Sequence, residues 1–197
     1  MTVISSHDPV DVAIPDTDRL YTYAPLRYRE RAIMKAALVR EAGQPVFREQ
    51  LLAARRTALQ ELAPDNLAEL LLILDEVDLV AAESLSPETL ASLAIIDASV
   101  MAVPSYAALI ERNYRTVYLT PYVAARYGLR GWSGTGLPAF RRERELVPDD
   151  LLDAIPPRDL ETVGWAIWNA AHVTAVQEKN FVAPSPSPES PTPSPAG

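Results

Sequence analysis

The fold is decided by residues 117–134, which read VYLTPYVAARYGLRGWSG. Apolar and aromatic side chains recur here at helical spacing, and the pattern extends back to Tyr106. Pro121 lies inside the pattern, so the sequence predicts either one helix from Tyr106 to Leu129 or a pair of helices bent at the proline. Gly128 is a natural end for this tyrosine-rich helical segment.

A glycine-rich segment, residues 131–136, follows that helix and carries a bulky indole at Trp132. Three glycines in six residues exclude regular helix, because each costs about 1 kcal/mol relative to alanine in a helix interior. We therefore predict a turn in which glycine supplies positive φ beside the indole. The glycine spacing does not fit a dinucleotide or phosphate loop, and no lysine follows it.

Toward the N-terminus, prolines divide the chain into segments. Four helices are predicted there, over residues 26–42, 45–62, 67–79 and 86–100, because apolar side chains recur on one face of each. Residues 19–23 alternate aromatic and β-branched side chains, as a short strand does. Residues 1–18 are acidic, contain prolines and lack periodicity, so we expect a mobile arm.

Toward the C-terminus, a short helix over residues 149–155 and a last helix beginning at Pro157 are predicted. The repeated Ser-Pro of residues 182–197 has the low complexity of an unfolded tail. The predicted fold is all-α: a single domain of about six helices over residues 19–181, between a flexible arm and a disordered tail. Within it we separate N-terminal helices (19–103) from the Gly-Trp segment and C-terminal helices (104–181).

Composition excludes several classes of protein. The 197 residues contain no cysteine, which rules out disulfides, thiol catalysis and cysteine-based zinc sites. No secretory signal begins the chain, and no apolar window reaches the ~20 residues of a membrane helix, so we expect a cytoplasmic protein. A net charge of −8 argues against nonspecific binding to nucleic acid.

Charge is divided into blocks along the chain. Residues 26–60 hold eight basic and three acidic side chains, whereas residues 61–97 hold nine acidic and no basic ones. Residues 111–146 are again mainly basic, and residues 147–180 mainly acidic. Either consecutive helices pack with complementary faces, or the surface is bipolar and assembles with a partner or with copies of this chain.

No set of side chains predicts catalysis, a cofactor or a metal. Ser133 lies in a Gly-Trp-Ser-Gly sequence, but a nucleophile elbow needs glycine where Thr135 stands and a strand where we expect the helix to end. His7 and His172 could be ligands, but the sequence lacks the further ligands that a metal site needs. Asp149 and Asp150 are interpreted as first-turn charges favoured by the helix dipole.

Aromatic side chains allow two interpretations. Tyr114, Tyr118 and Tyr122 recur every four residues and predict a buried helix stripe, although tyrosines interleaved with arginines can also stack on bases. Trp132, Phe140, Trp165 and Trp168 predict a small core that joins the glycine segment to the last helix. The alternative is an exposed anchor for a partner protein, where tryptophan is enriched.

The order of motifs resembles the tail assembly chaperones of long-tailed phages and prophages. The resemblance covers residues 112–180. It is carried by Arg115 leading into Val123, Leu129-Arg130-Gly131-Trp132-Ser133-Gly134, Leu137-Pro138-Ala139-Phe140, Asp150-Leu151-Leu152, Leu160, Ile167 and Lys179-Asn180.

The resemblance implies a non-enzymatic protein that keeps the tape-measure protein soluble during tail assembly and is absent from the mature virion. Its protein-binding residues would be Gly131, Trp132, Gly134, Leu137, Phe140, Trp165 and Trp168. Self-association is compatible with the charge blocks. Two alternatives from other classes are a structural tail accessory or other adaptor protein, and a hydrolase with Ser133 as nucleophile.

Overall fold

The computed structural model describes residues 8–79 and 84–172. In chain order the elements are β1 (Val10–Ala13), β2 (Leu20–Tyr23), α1 (Tyr28–Ala42), α2 (Arg48–Leu62), α3 (Leu67–Leu79), α4 (Pro87–Val100), α5 (Pro104–Gly128), β3 (Leu129–Ser133), α6 (Asp149–Asp153) and α7 (Pro157–Ala170). The predicted helical character is confirmed, since 63% of the structure is helical. The all-α prediction is wrong in its strict form, because three strands pair into a sheet. The predicted tail at 182–197 lies outside the described residues.

The sheet is antiparallel, with β2 between β1 and β3. The strand predicted over residues 19–23 is confirmed as β2. Two neighbouring predictions are wrong: β1 lies within the expected mobile arm, and β3 replaces the expected turn at the start of the glycine segment. Both errors have the same cause, since β1 and β3 form by pairing with β2 and not by local propensity.

Two clusters of buried side chains form the core. The first is built by the sheet, α1, the C-terminal half of α5, α6 and α7, around Tyr21, Met34 and Val123. The second is built by α2, α3, α4 and the N-terminal half of α5, around Leu59 and Ile96. A division of the chain at residue 103 therefore falls just before α5, the helix that contributes to both clusters.

Helix α5 is a single helix with Pro121 inside it, which decides between the two sequence interpretations. It crosses α7 at very short range. A Cβ placed on Gly164 would lie 2.3 Å from the carbonyl oxygen of Pro121, and one placed on Gly128 would lie 2.4 Å from Ile167. The crossing therefore requires residues without a side chain at both positions.

Ion pairs join the charge blocks within the chain. Arg56 of α2 pairs with Asp75 (2.7 Å) and Asp78 of α3. Arg55 of α2 pairs with Asp97 of α4 (3.0 Å), and Arg126 of α5 pairs with Asp149 of α6 (2.9 Å). These contacts support the interpretation that neighbouring helices pack with complementary charge.

Among the described helices, none alone has the length and apolar character needed to cross a membrane. α4 and α5 reach that limit only when taken together, and the two helices meet at an angle of 107°.

Candidate protein-binding surface

The indole of Trp132 is partly buried and packs against the first core cluster. Its ring makes edge contacts with Phe140 (centroids 4.7 Å apart) and with Tyr21 of β2 (6.3 Å). Its Nε1 donates a hydrogen bond of 2.7 Å to the carbonyl oxygen of Pro138. Because its polar atom and both ring edges are already engaged, Trp132 fastens the segment 137–140 to the sheet.

The glycines of this segment differ in how closely other atoms pack around their backbone. Gly134 has φ 127°, and a Cβ there would lie 2.7 Å from the Cα of Arg19. Gly131 of β3 faces Thr22 with ordinary spacing, 3.9 Å from its would-be Cβ to the Thr22 Cβ. Next to Gly134, the Asp18 carboxylate accepts hydrogen bonds from the amide and hydroxyl of Thr135. The Thr135 hydroxyl in particular holds the pKa of Asp18 below its usual value.

The remaining predicted site residues are divided between two places. Leu137, Phe140 and Trp168 are partly buried and pack against the first core cluster. Trp168 and Trp165 lie on α7, where Trp168 faces the His172 ring at 4.4 Å. The structure thus brings Trp132 and Phe140 together, but the ring that completes their cluster is Tyr21, a residue that sequence analysis did not single out.

A buried carboxylate joins the sheet to α7, and sequence analysis missed it as well. Asp159 is 1% exposed, accepts a 2.9 Å hydrogen bond from the Tyr21 hydroxyl and lies 2.8 Å from Nε of Arg19. Burial, followed by this hydrogen bond, raises the pKa of Tyr21. The only sequence signal was its position in the first turn of α7, which suits a carboxylate on the surface equally well.

The tyrosines of α5 do not form a buried stripe, and that prediction is wrong for two of three. Tyr114 is 57% exposed and Tyr118 is 72% exposed, and their rings stack on each other with centroids 6.3 Å apart. Tyr122 alone is partly buried and packs against the first core cluster. The four-residue spacing was interpreted correctly as one helix face, but this end of the face points to solvent.

Beside these tyrosines lies an apolar groove between α5 and α7, with a volume of about 280 Å³. Its walls are mainly Val117, Tyr118, Pro121, Pro157 and Leu160. Pro121 has no N–H, so the carbonyl of Val117 at the groove lacks its usual helical partner. We call this feature, together with Tyr114, the α5–α7 groove.

Acidic groups border the groove. Glu161 lines it, and the Tyr122 hydroxyl at its wall donates a 3.0 Å hydrogen bond to Asp153. Burial and this hydrogen bond raise the pKa of Tyr122, so the phenol stays neutral. An apolar groove with acidic groups beside it suits apolar side chains from an amphipathic helix of another polypeptide.

The structure alters one argument about Ser133. A strand, β3, does lead into this exposed serine, contrary to the sequence prediction that a helix end precedes it. Residues 134–136 then form a bend and a turn, whereas a nucleophile elbow continues into a helix. Within residues 8–79 and 84–172, no three His, Asp or Glu side chains converge as metal ligands would.

Comparisons with protein-family models, with curated proteins and with solved structures found no significant match.

Proposed function

We propose that this chain is a non-enzymatic assembly factor of the phage tail assembly chaperone type, which keeps the tape-measure protein soluble while the tail is built. The observation that carries the proposal is the α5–α7 groove. Beside the groove, α5 exposes Tyr114, Tyr118 and Val117 to solvent instead of burying them. Exposed apolar grooves of this kind mark sites where another polypeptide binds.

The proposed role suits the physics of both partners. A tape-measure protein is a long apolar helix that aggregates unless something covers its apolar face. The groove offers aromatic rings and the ring of Pro121 to such a face, in a chain whose net charge of −8 keeps the complex dispersed. Trp132 and Phe140 contribute indirectly, by holding the segment after β3 against the sheet.

The experiment is coexpression with the tape-measure protein that this proposal expects to be encoded beside the chain. We expect the wild-type chain to increase the soluble fraction of the tape measure severalfold. We expect Tyr118→Glu to abolish that increase, because the substitution removes an exposed ring from the groove and places a charge there.

The matched control is Phe47→Asp. It also removes an exposed ring (62% exposed) and adds a negative charge, but it lies at the start of α2, where aspartate is a favourable N-cap. The proposal is wrong if wild type leaves the tape measure insoluble, or if both variants reduce its solubility equally. Stoichiometric amounts of the chain in purified virions would favour the alternative of a structural tail protein.

A further inference from the structure

A second apolar surface lies on α4, the helix that precedes α5. The solvent-facing side of this helix carries Leu90 (44% exposed) and Ile95 (68%), with exposed alanines 91, 94 and 98, and Met101 (45%) follows at its C-cap. An ordinary surface helix places charged and polar side chains on this side. The outward half of α4 therefore has the composition of a contact face.

Acidic side chains accompany this apolar area on α4 and on the neighbouring helix α3. Glu88 lies at the start of α4, and the neighbouring helix α3 exposes Leu72 (69%) between Glu69 and Glu76. None of these three carboxylates forms an ion pair with another described residue. We call this combined surface the acidic α3–α4 face.

Helix α1 presents the complementary surface. Tyr28 is 82% exposed and Ile33 is 45% exposed, and Arg29, Lys35 and Arg40 are exposed on the same helix. These three cations form no ion pair within the described part of the chain. We call this surface the basic α1 face.

The basic α1 face contains a cleft. A cleft of about 280 Å³ opens there, lined by Tyr28, Arg31, Ala32 and Lys35 of α1 and by Ala171. Its mixture of an aromatic ring, an alanine and cationic groups suits an aliphatic side chain that is flanked by carboxylates. The acidic α3–α4 face presents such a combination at Ile95 and Leu72.

We infer that the acidic α3–α4 face of one copy binds the basic α1 face of the next copy. The two faces lie on helices that pack in different core clusters of the chain, and the contact that we infer joins separate copies. Two α3–α4 faces do not suit each other, because their carboxylates repel, and the same holds for two α1 faces. The contact is therefore head-to-tail, and such contacts build rings or open filaments.

The experiment mixes two blocked variants and measures mass by sedimentation velocity at low salt. Ile95→Asp blocks the acidic face, and Tyr28→Asp blocks the basic face. We expect wild type to form larger species as concentration rises, and each variant alone to stay at the 21.6 kDa of one chain. Mixed one to one, the variants form a species of twice that mass and nothing larger, because one intact contact remains.

The mixing pattern separates this contact from other arrangements. If Tyr28→Asp alone associates as wild type does, the basic α1 face is not the partner and the inference fails. It fails also if wild type remains a monomer at all concentrations. A second pair of variants, Glu69→Lys/Glu76→Lys and Arg29→Glu/Lys35→Glu, tests charge alone, so an unfolded aspartate variant does not decide the result. Each is expected to stay a monomer alone, and their mixture to form larger species again, because the two reversed faces are also complementary.

This inference does not depend on the proposed function. Tyr118→Glu leaves both faces intact and is expected to associate like wild type. If the wild-type chain self-associates but does not raise the solubility of the tape measure, the proposed function is wrong. If it raises that solubility but stays a monomer, the inference about self-association is wrong.

Discussion

At the scale of single residues, Asp159 is the charged side chain on which the first core cluster depends. Its carboxylate is enclosed by the Tyr21 hydroxyl and the Arg19 guanidinium, one from β2 and one immediately before it. Removing the carboxylate leaves a buried hydroxyl and a cation without partners. Removing the Tyr21 hydroxyl leaves the ion pair between Asp159 and Arg19 intact.

We therefore predict unequal losses of stability from these two positions. Asp159→Ala should lower the free energy of unfolding by about 3–5 kcal/mol, as breaking a buried ion pair does. Tyr21→Phe should lower it by about 1 kcal/mol, the net value of one neutral hydrogen bond. Urea denaturation measures both, and equal small losses would show that water already screens the carboxylate.

At the scale of elements, the crossing of α5 and α7 sets the shape of the groove. Gly164 of α7 lies against the backbone of Pro121, and this approach brings Leu160 next to Tyr118 across the groove. A side chain at Gly164 would push the helices apart. It would widen the groove as well as weaken the core.

We predict that Gly164→Ala destabilises the protein by about 1–3 kcal/mol, the usual cost of overpacking, although alanine is the better helix former by about 1 kcal/mol. The matched control is Gly131→Ala, whose new methyl group would meet its nearest neighbour at an ordinary 3.9 Å. Thermal unfolding measures both, and an unchanged or raised Tm for Gly164→Ala would contradict the tight crossing.

Helices with strong local signals were predictable, and so was β2. The helix predicted over residues 86–100 is confirmed as α4, and at its start the Ser86 hydroxyl accepts a hydrogen bond from the Thr89 amide. β1 and β3 were missed because their strand character comes from partners far along the chain. At the site, sequence analysis found the helix face of Tyr114 and Tyr118, but which side faces solvent depends on how α5 packs.

At the scale of the whole molecule, α5 makes the two core clusters dependent on each other. The helix is about 37 Å long, and its N-terminal part packs in the second cluster while its C-terminal part packs in the first. All three tryptophans lie in elements of the first cluster. Their fluorescence therefore reports on one cluster only.

We predict that a cavity in the second cluster lowers the stability of both. Leu59→Ala, at a position 1% exposed, should cost about 2–5 kcal/mol and shift the tryptophan fluorescence transition as far as the far-UV circular dichroism transition. Two separated transitions, with fluorescence unmoved, would show that the clusters unfold independently.

The order of strands in the sheet has a consequence for the newly made chain. Strand β2 pairs with β1 immediately before it, but Thr22 meets Gly131 only after more than one hundred further residues. At translation rates of about 5–20 residues per second, the first hairpin waits roughly 5–20 seconds on the ribosome before its third strand emerges. During that interval α1 to α4 have already left the exit tunnel, and the ring of Tyr21 has neither Trp132 nor Asp159 to cover it.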